Sequence, residues 1–545
     1  MFTISIIALA ISYAVNVLSA STPVQNAAAP VVTLSYGKFQ GMTSGGLTQF
    51  LGMPFARPPV GNLRFAPPEP PIPFKDIRQA TSFGNECPQE PVTKPTSPLP
   101  ANEDCLFLNV VTPSSMPHGK RLPVVFWIFG GAYLPFLGDT SFNSVTSVVN
   151  RSMALGEPVV YVSTNYRLNA FGFLGGKEIK AAGLGNPGIR DQRFALEWVQ
   201  ENIAKFGGDP TKVTLWGESG GAVSIGAHMV INNGNQNGLF RGGFLDSGSP
   251  SFYSDITAGQ SKYDTLVSGT GCTNASDTLA CLRTVPASTL LAVVNDAPGL
   301  FQLAWTVTID GEFITRSARD ALEEGHYSKI PFVTGDVDDE GTLFSMLTLN
   351  ITTNQEFLDF IAASFLPNIT NADLAAIAQA YPDDITQGSP FDTGTANALT
   401  PEYKRLAAFQ GDMFFSGPRR FFLRLAAKRQ NAWGFLYKRG KIANGPLGAY
   451  HGSDVPEFDG TITTDFIGTD ALINFVNHLD PNAPKQIKRN ISLLENINWP
   501  QWITSTTSPP LFTFLDPAPS VAITPDTFRE GPINLLVDIA GKLFK

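Results

Sequence analysis

The run Gly217-Glu218-Ser219-Gly220-Gly221 limits what this chain can fold into more than any other stretch. It follows the apolar residues Val213-Thr214-Leu215-Trp216 and precedes Ala222, Val223, Ile225 and Ala227, a pattern suited to a buried helix. A strand that passes straight into a helix must reverse sharply at the residue between them. Glycines two positions either side of Ser219 let that reversal close without a side-chain clash. The turn would hold the serine hydroxyl proud of a sheet, over a helix N-terminus that favours developing negative charge. G-x-S-x-G by itself also marks plain structural turns. The strand before it and the helix after it favour a nucleophile elbow.

An elbow of this kind needs a parallel sheet, and the chain has the material for one. Strand-like runs recur at 123–129, 158–164, 213–216, 243–245, 330–334 and 432–437. Helical patterns lie between them, the clearest at 190–206, where Phe194, Ala195, Trp198, Val199, Ile203 and Phe206 repeat at helical spacing. Such alternation predicts an α/β fold with a mostly parallel sheet covered on both faces, and ligands at the carboxyl ends of its strands. The part from 36 to about 111 is rich in proline and reads as small strands and loops. The proline-rich stretches 67–73 and 91–100 read as surface loops, and no linker or repeat divides the chain, so 21–545 is taken as a single catalytic domain. Hydrophobic residues make up 43% and charged residues 16%, which excludes a disordered chain. A net charge of −9 and a pI near 5.2 argue against nucleic acid and against a polybasic membrane contact. Most of the 40 phenylalanines must serve core packing; a surplus around an apolar pocket is the sharper reading.

Residues 1–20 carry no charge, are mostly apolar and end in Ser19, Ala20 and Ser21, which reads as a signal peptide despite the lack of a Lys or Arg at its start. An uncleaved anchor is the competing idea, disfavoured by Asn16 and by the absence of basic residues after the stretch. No other segment is long and apolar enough to span a bilayer, so a secreted protein without a stable membrane anchor is expected. Cys87, Cys105, Cys272 and Cys281 form an even set fitting that compartment, and nearest-neighbour pairing is one of three connectivities. None has a C-x-x-C spacing, so no metal is expected. Sequons at Asn150, Asn274, Asn350, Asn368 and Asn490 are possible glycan sites.

A serine hydroxyl is a weak nucleophile and needs a base. Of five histidines, His118 lies in a polar turn, His326 and His478 lie in helical or helix-end contexts, and His228 is more than two turns along the helix after Ser219. His451, in a loop beyond the run 432–437, remains. An acid should hold that base. The run 330–334 leads into Gly335-Asp336-Val337-Asp338-Asp339-Glu340-Gly341, and position alone does not choose among the four carboxylates; the other three read as a solvated acidic loop. Phe129-Gly130-Gly131-Ala132-Tyr133 follows the run 123–129. Its small residues suit an oxyanion hole built from the N–H groups of Gly131 and Ala132, joined by that of Gly220.

Longer motifs carry a resemblance. Phe55-Ala56-Arg57-Pro58-Pro59-Val60-Gly61, Glu103-Asp104-Cys105-Leu106-Phe107-Leu108-Asn109, Trp127-Ile128-Phe129-Gly130-Gly131, Asn165-Tyr166-Arg167, Asp191-Gln192-Arg193 and Phe206-Gly207-Gly208-Asp209-Pro210 resemble the type-B carboxylesterase/lipase family over about 32–529. The resemblance implies an α/β-hydrolase fold with a small N-terminal sheet. It also implies Ser219 as nucleophile, Glu340 as acid and His451 as base, the disulfides Cys87–Cys105 and Cys272–Cys281, and structural ion pairs of Arg64 with Glu103 and Arg167 with Asp191. Two departures stand out: Gly220 where the family has Ala, and Ala132 where its oxyanion loop has a third glycine. Family lipases carry a long amphipathic lid in the first disulfide loop. Here 17 residues (88–104) separate the two cysteines, and Pro91, Pro95, Pro98 and Pro100 break any helix. An open site with little interfacial activation is expected. Leu343, Phe344, Phe414 and Phe415, with Phe301 and Leu303 as weaker candidates, would line the acyl side. The expected activity is hydrolysis of small-molecule carboxylic esters through an acyl-enzyme, without a cofactor. A long-chain lipase or sterol esterase, or an esterase of aromatic (feruloyl-type) acids, is the runner-up. A binding or adhesion protein without activity is the reading from another class, and the intact triad positions speak against it.

Overall fold

The apolar runs become strands in the computed structural model, which describes residues 29–89, 100–115, 119–132, 145–296, 305–462, 464–485 and 490–544. In chain order the strands are β1 (Val31–Leu34), β2 (Gly37–Gln40), β3 (Met42–Ser44), β4 (Leu47–Pro54), β5 (Ile77–Gln79), β6 (Phe107–Pro113), β7 (Leu122–Ile128) and β8 (Val160–Thr164). There follow β9 (Gly208–Glu218), β10 (Gly242–Asp246), β11 (Ser254–Asp255), β12 (Thr308–Ile309), β13 (Phe332–Val337), β14 (Ala432–Tyr437), β15 (Pro510–Phe514) and β16 (Val521–Pro525). An 11-stranded sheet runs β16-β15-β14-β13-β10-β9-β7-β8-β6-β4-β3, and β1-β2-β5 form a separate small sheet near the N-terminus. From β8 to β15 along that order every pairing is parallel; only the flanking strands pair antiparallel. This is an α/β-hydrolase fold.

Every residue of β7, β8, β10, β13 and β14 is buried, as expected where helices cover both faces of a parallel sheet. Phenylalanine fills much of that core: Phe435 lies 5.0 Å from Phe458 and 6.3 Å from Phe514, ring centre to ring centre. A satellite core gathers Phe357, Ile361, Phe365 and Phe409 with Leu536. The expected helix at 190–206 starts earlier, at Pro187, whose fixed φ and missing N–H suit a first turn. It ends at Asn202 and passes through a 3-10 turn, Ile203–Phe206, into Gly207 at φ 85°. β15 and β16 escaped the sequence reading. They are short, proline-bounded strands, and β16 is a partly exposed edge without an apolar run.

Both disulfides form with nearest neighbours, Cys87–Cys105 and Cys272–Cys281. The two anticipated ion pairs are bidentate: Arg64 reaches both carboxylate oxygens of the partly buried Glu103 at 2.7 Å, and Arg167 both of the buried Asp191 at 2.7 Å. All five sequon asparagines are exposed. Among the described residues no single helix is long and apolar enough to cross a membrane. The leader 1–20, His118, Tyr133, Pro91, Pro95, Pro98, Phe301 and Leu303 lie outside the described residues.

Candidate active site

Five neighbouring strands, β7, β9, β10, β13 and β14, end on one edge of the sheet, with Ile128 paired to Gly217, Glu218 to Asp246, and Asp246 to Gly335. Each contributes to one cluster. At the end of β9 the chain turns at Ser219, with φ 55° and ψ −123°, into the helix Gly220–Val230. That backbone is disfavoured for a residue with a side chain, and three features impose it. The Ser219 N–H donates to the Asp246 carbonyl at 2.9 Å, and its carbonyl accepts from Val223 at 2.9 Å. The third is close passage past β7: a methyl on Gly221 would lie 2.0 Å from the Ile128 carbonyl oxygen, and one on Gly217 2.9 Å from the same atom. The two glycines flanking the elbow are therefore required by strand contact as well as by the turn.

His451, reached by the loop after β14, places Nε2 2.8 Å from Ser219 Oγ and Nδ1 2.5 Å from Glu340 Oε2. A carboxylate at Nδ1 selects the tautomer that leaves Nε2 as acceptor for the serine proton. Glu340 is fixed in turn, since its Oε1 accepts the Val337 N–H at 2.9 Å. Burial pushes the Glu340 carboxyl up, reinforced by Asp336, and pushes His451 down. The lowered imidazole is favoured as a neutral base at rest, and the Glu340 carboxylate is placed to hold its Nδ1 proton as Nε2 takes one from the serine.

The expected solvated acidic loop is corrected. Asp336, Asp338, Asp339 and Glu340 are all buried. Asp336 accepts from Arg419 at 2.7 Å, Asp338 pairs with Lys438 at 3.1 Å and with Lys441, and Asp339 takes backbone N–H groups. Each carboxylate has its own cation or donors, so charge density in sequence does not mean exposure. The rejected histidines are placed elsewhere. His228 is buried with Nε2 3.0 Å from Gln192 Oε1, while His326 and His478 lie exposed beside Glu324 and Glu157.

Gly131 (φ 97°) and Ala132 (φ 54°) follow β7 in left-handed backbone, and Gly220 opens the helix. Their N–H groups take no backbone acceptor among the described residues. Gly130 presses on the elbow, where a Cβ would lie 2.8 Å from the Ser219 Cβ. Phe129 is pinned by Tyr166, whose ring stacks at 4.5 Å and whose hydroxyl donates to the Phe129 carbonyl at 2.8 Å. Tyr166 therefore orients the small-residue loop, a role that its motif alone did not disclose.

Phe415 and Phe344 stand against the His451 ring at 4.6 and 5.1 Å and stack on each other at 5.8 Å. Leu343, next to Phe344 in sequence, is partly exposed. Phe414 differs from expectation: it packs at 5.0 Å on Phe365 in the satellite core rather than on His451. Phe414 and Phe415 both lie in a π-helical turn, Asp412–Ser416, and as consecutive residues they face different neighbours. Glu218 was missed. Its Oε1 lies 3.3 Å from His451 Nε2, and burial pushes its carboxyl up to about 7, with His451 opposing. Its place inside the elbow motif was the available signal. Among the described residues no group of three His, Cys, Asp or Glu side chains is placed to hold a metal ion.

Comparison with known proteins agrees with this fold. A model described as the carboxylesterase family matches residues 28–511. Lipase 2 of Diutina rugosa is 39% identical over 515 residues, covering 88% of this chain and 91% of that protein. Secreted lipase 1 of Botryotinia fuckeliana is 38% identical, covering 88% of each. Among solved structures, Aspergillus niger EstA superposes with a TM-score of 0.81 at 26% identity over 95% of this chain and 99% of that one. A PNB esterase gives 0.75 at 28% identity over 93% and 100%.

Proposed function

Starting from the premise that the chain belongs to the carboxylesterase family and is a carboxylic ester hydrolase, we propose that it works through an acyl-enzyme on Ser219. The observation that carries this reading is the continuous contact from Ser219 Oγ to His451 to Glu340, at 2.8 and 2.5 Å. Ser219 attacks the ester carbonyl while His451 Nε2 takes its proton and Glu340 stabilises the imidazolium. The N–H groups of Gly131, Ala132 and Gly220 hold the oxyanion, aided by the helix N-terminus. His451 then protonates the departing alcohol, and water attacks the acyl-enzyme by the same route in reverse. Ser219→Ala should abolish turnover of p-nitrophenyl butyrate and leave the fold unchanged by circular dichroism. Hydrolysis retained by the purified variant removes the mechanism.

For substrate, the reading is a broad carboxylesterase with an apolar acyl side at Phe344, Phe415 and Leu343 and a short lid. Support comes from the rings against His451 and from the short, proline-rich first disulfide loop. A long-chain lipase is the second reading, favoured by relatives named as lipases. Initial rates on p-nitrophenyl esters from acetate to palmitate, below and above each solubility limit, separate the two. A smooth short-chain preference fits the open site, and a long-chain optimum that needs aggregates fits the lipase. The reading extends to one secreted catalytic unit over 21–545, supported by two disulfides and by relatives named as secreted.

A further inference from the structure

Asp339, beside the acid in sequence, is a carboxylate to which the mechanism above gives no task. It is fully buried, and three donors from two other segments converge on it. Oδ1 accepts from the Ser389 hydroxyl at 3.0 Å and from the Phe391 N–H at 2.8 Å. Oδ2 accepts from the Ala449 N–H at 2.9 Å, and the Asp339 N–H donates to the Ala449 carbonyl at 3.0 Å. Asp339 and Ala449 are thus tied twice, and a bridge between Asp339 and Tyr450 extends the tie. The neighbouring residue is built around the carboxylate: Gly448 sits at φ 61°, and a Cβ there would lie 2.3 Å from Asp339 Oδ2. Lys441 brings an ammonium to 3.4 Å of that oxygen.

The position of the tie gives it a consequence. Glu340 is the next residue on one side, and His451 is two residues beyond Ala449 on the other. The acid loop and the base loop leave different strands, β13 and β14, and could otherwise drift independently. We propose that Asp339 is a positioning residue for ester hydrolysis, a brace that sets the Glu340–His451 contact by holding the two loops in register. The inference rests on the Ser219–His451–Glu340 reading. Misplacement of a reacting group by about 1 Å costs on the order of 100-fold in rate, so a loosened brace should act on kcat and leave substrate binding alone.

Asp339→Asn tests this, because the amide keeps one acceptor but turns an N–H toward one of the incoming donors. The expected result is a fall in kcat on p-nitrophenyl butyrate of about 10- to 100-fold with KM changed less than about twofold. The proton resonance of the Nδ1–H···Oε2 bond, read by downfield NMR of the organophosphate adduct, should also move upfield or vanish. Should that variant not fold, Ser389→Ala removes one donor and spares the tie to Ala449; a fall in kcat of roughly threefold or more at unchanged KM is then expected. Wild-type kcat with an unmoved resonance, or a raised KM at unchanged kcat, overturns the brace. Ser219→Ala run alongside keeps the two ideas apart. If it still hydrolyses ester, the triad reading fails; if it is dead while the folded Asp339 variant is unaltered, only the brace fails.

Discussion

Replacing Glu218 by Gln should make this enzyme more stable in alkali and no more stable in acid. Burial lifts the Glu218 carboxyl from 4.5 to about 7. Between those values the folded state binds more protons than the unfolded state, so the stability associated with this group is full below about 4.5 and is lost as pH rises through about 7. At about 1.4 kcal/mol for each tenfold change in proton affinity, the loss amounts to about 3 kcal/mol. Glutamine cannot ionise and escapes it. With an unfolding entropy of about 2 cal/mol/K per residue, a chain of this length has roughly 1 kcal/mol/K in all, so the gain appears as about 3 °C in Tm. Differential scanning at one fixed rate should show coincident Tm values near pH 4 and a variant melting about 3 °C higher near pH 8.5. Activity should move the opposite way. The ionised carboxylate faces His451 Nε2 at 3.3 Å and stabilises the imidazolium, so kcat of the variant should fall more at pH 8.5 than at pH 6. A Tm difference that does not vary with pH would refute the reasoning, since it would mean that Glu218 does not titrate against burial.

Gly130→Ala places a methyl 2.4 Å from Glu218 Oε2 and 2.8 Å from Ser219 Cβ, so the loop before the oxyanion donors must back away. Loss of one such donor costs roughly 3 kcal/mol, and kcat should drop about 100-fold; a kcat close to wild type excludes close packing of that loop on the elbow. Removing Cys272–Cys281 by two serines opens a link of sequence separation 9 and should cost roughly 2.5 kcal/mol, against roughly 3 kcal/mol for Cys87–Cys105 with separation 18, read as lowered Tm. Equal Tm values for all three proteins would contradict the loop-closure argument.

What the sequence disclosed was local, and what it hid depends on contacts between distant segments. The elbow was legible because a strand, a turn and a helix are consecutive there, and His451 because five histidines leave few choices. The acid was not legible from position. Asp336, Asp338, Asp339 and Glu340 are told apart by partners contributed from 50 or more residues away, such as Arg419 for Asp336, Ser389 for Asp339 and His451 for Glu340. Resemblance chose Glu340, and the geometry explains why no neighbour could replace it. Phe414 and Phe415 look alike in sequence, yet one packs on the satellite core and the other on the imidazole, a choice made by segments distant in the chain. Glu218 was hidden by its motif, read for its glycines and serine rather than its carboxylate.

The order of the strands also sets a clock. Ser219 and His451 are 232 residues apart, and His451 hangs from β14, which can join the sheet only through β13. At a synthesis rate of roughly 5–20 residues per second, the nucleophile emerges roughly 10–50 seconds before its base. Throughout that interval the chain carries a serine with nothing to deprotonate it. On the proposed mechanism, a nascent chain or one clipped before β14 would lack its base and should leave esters intact.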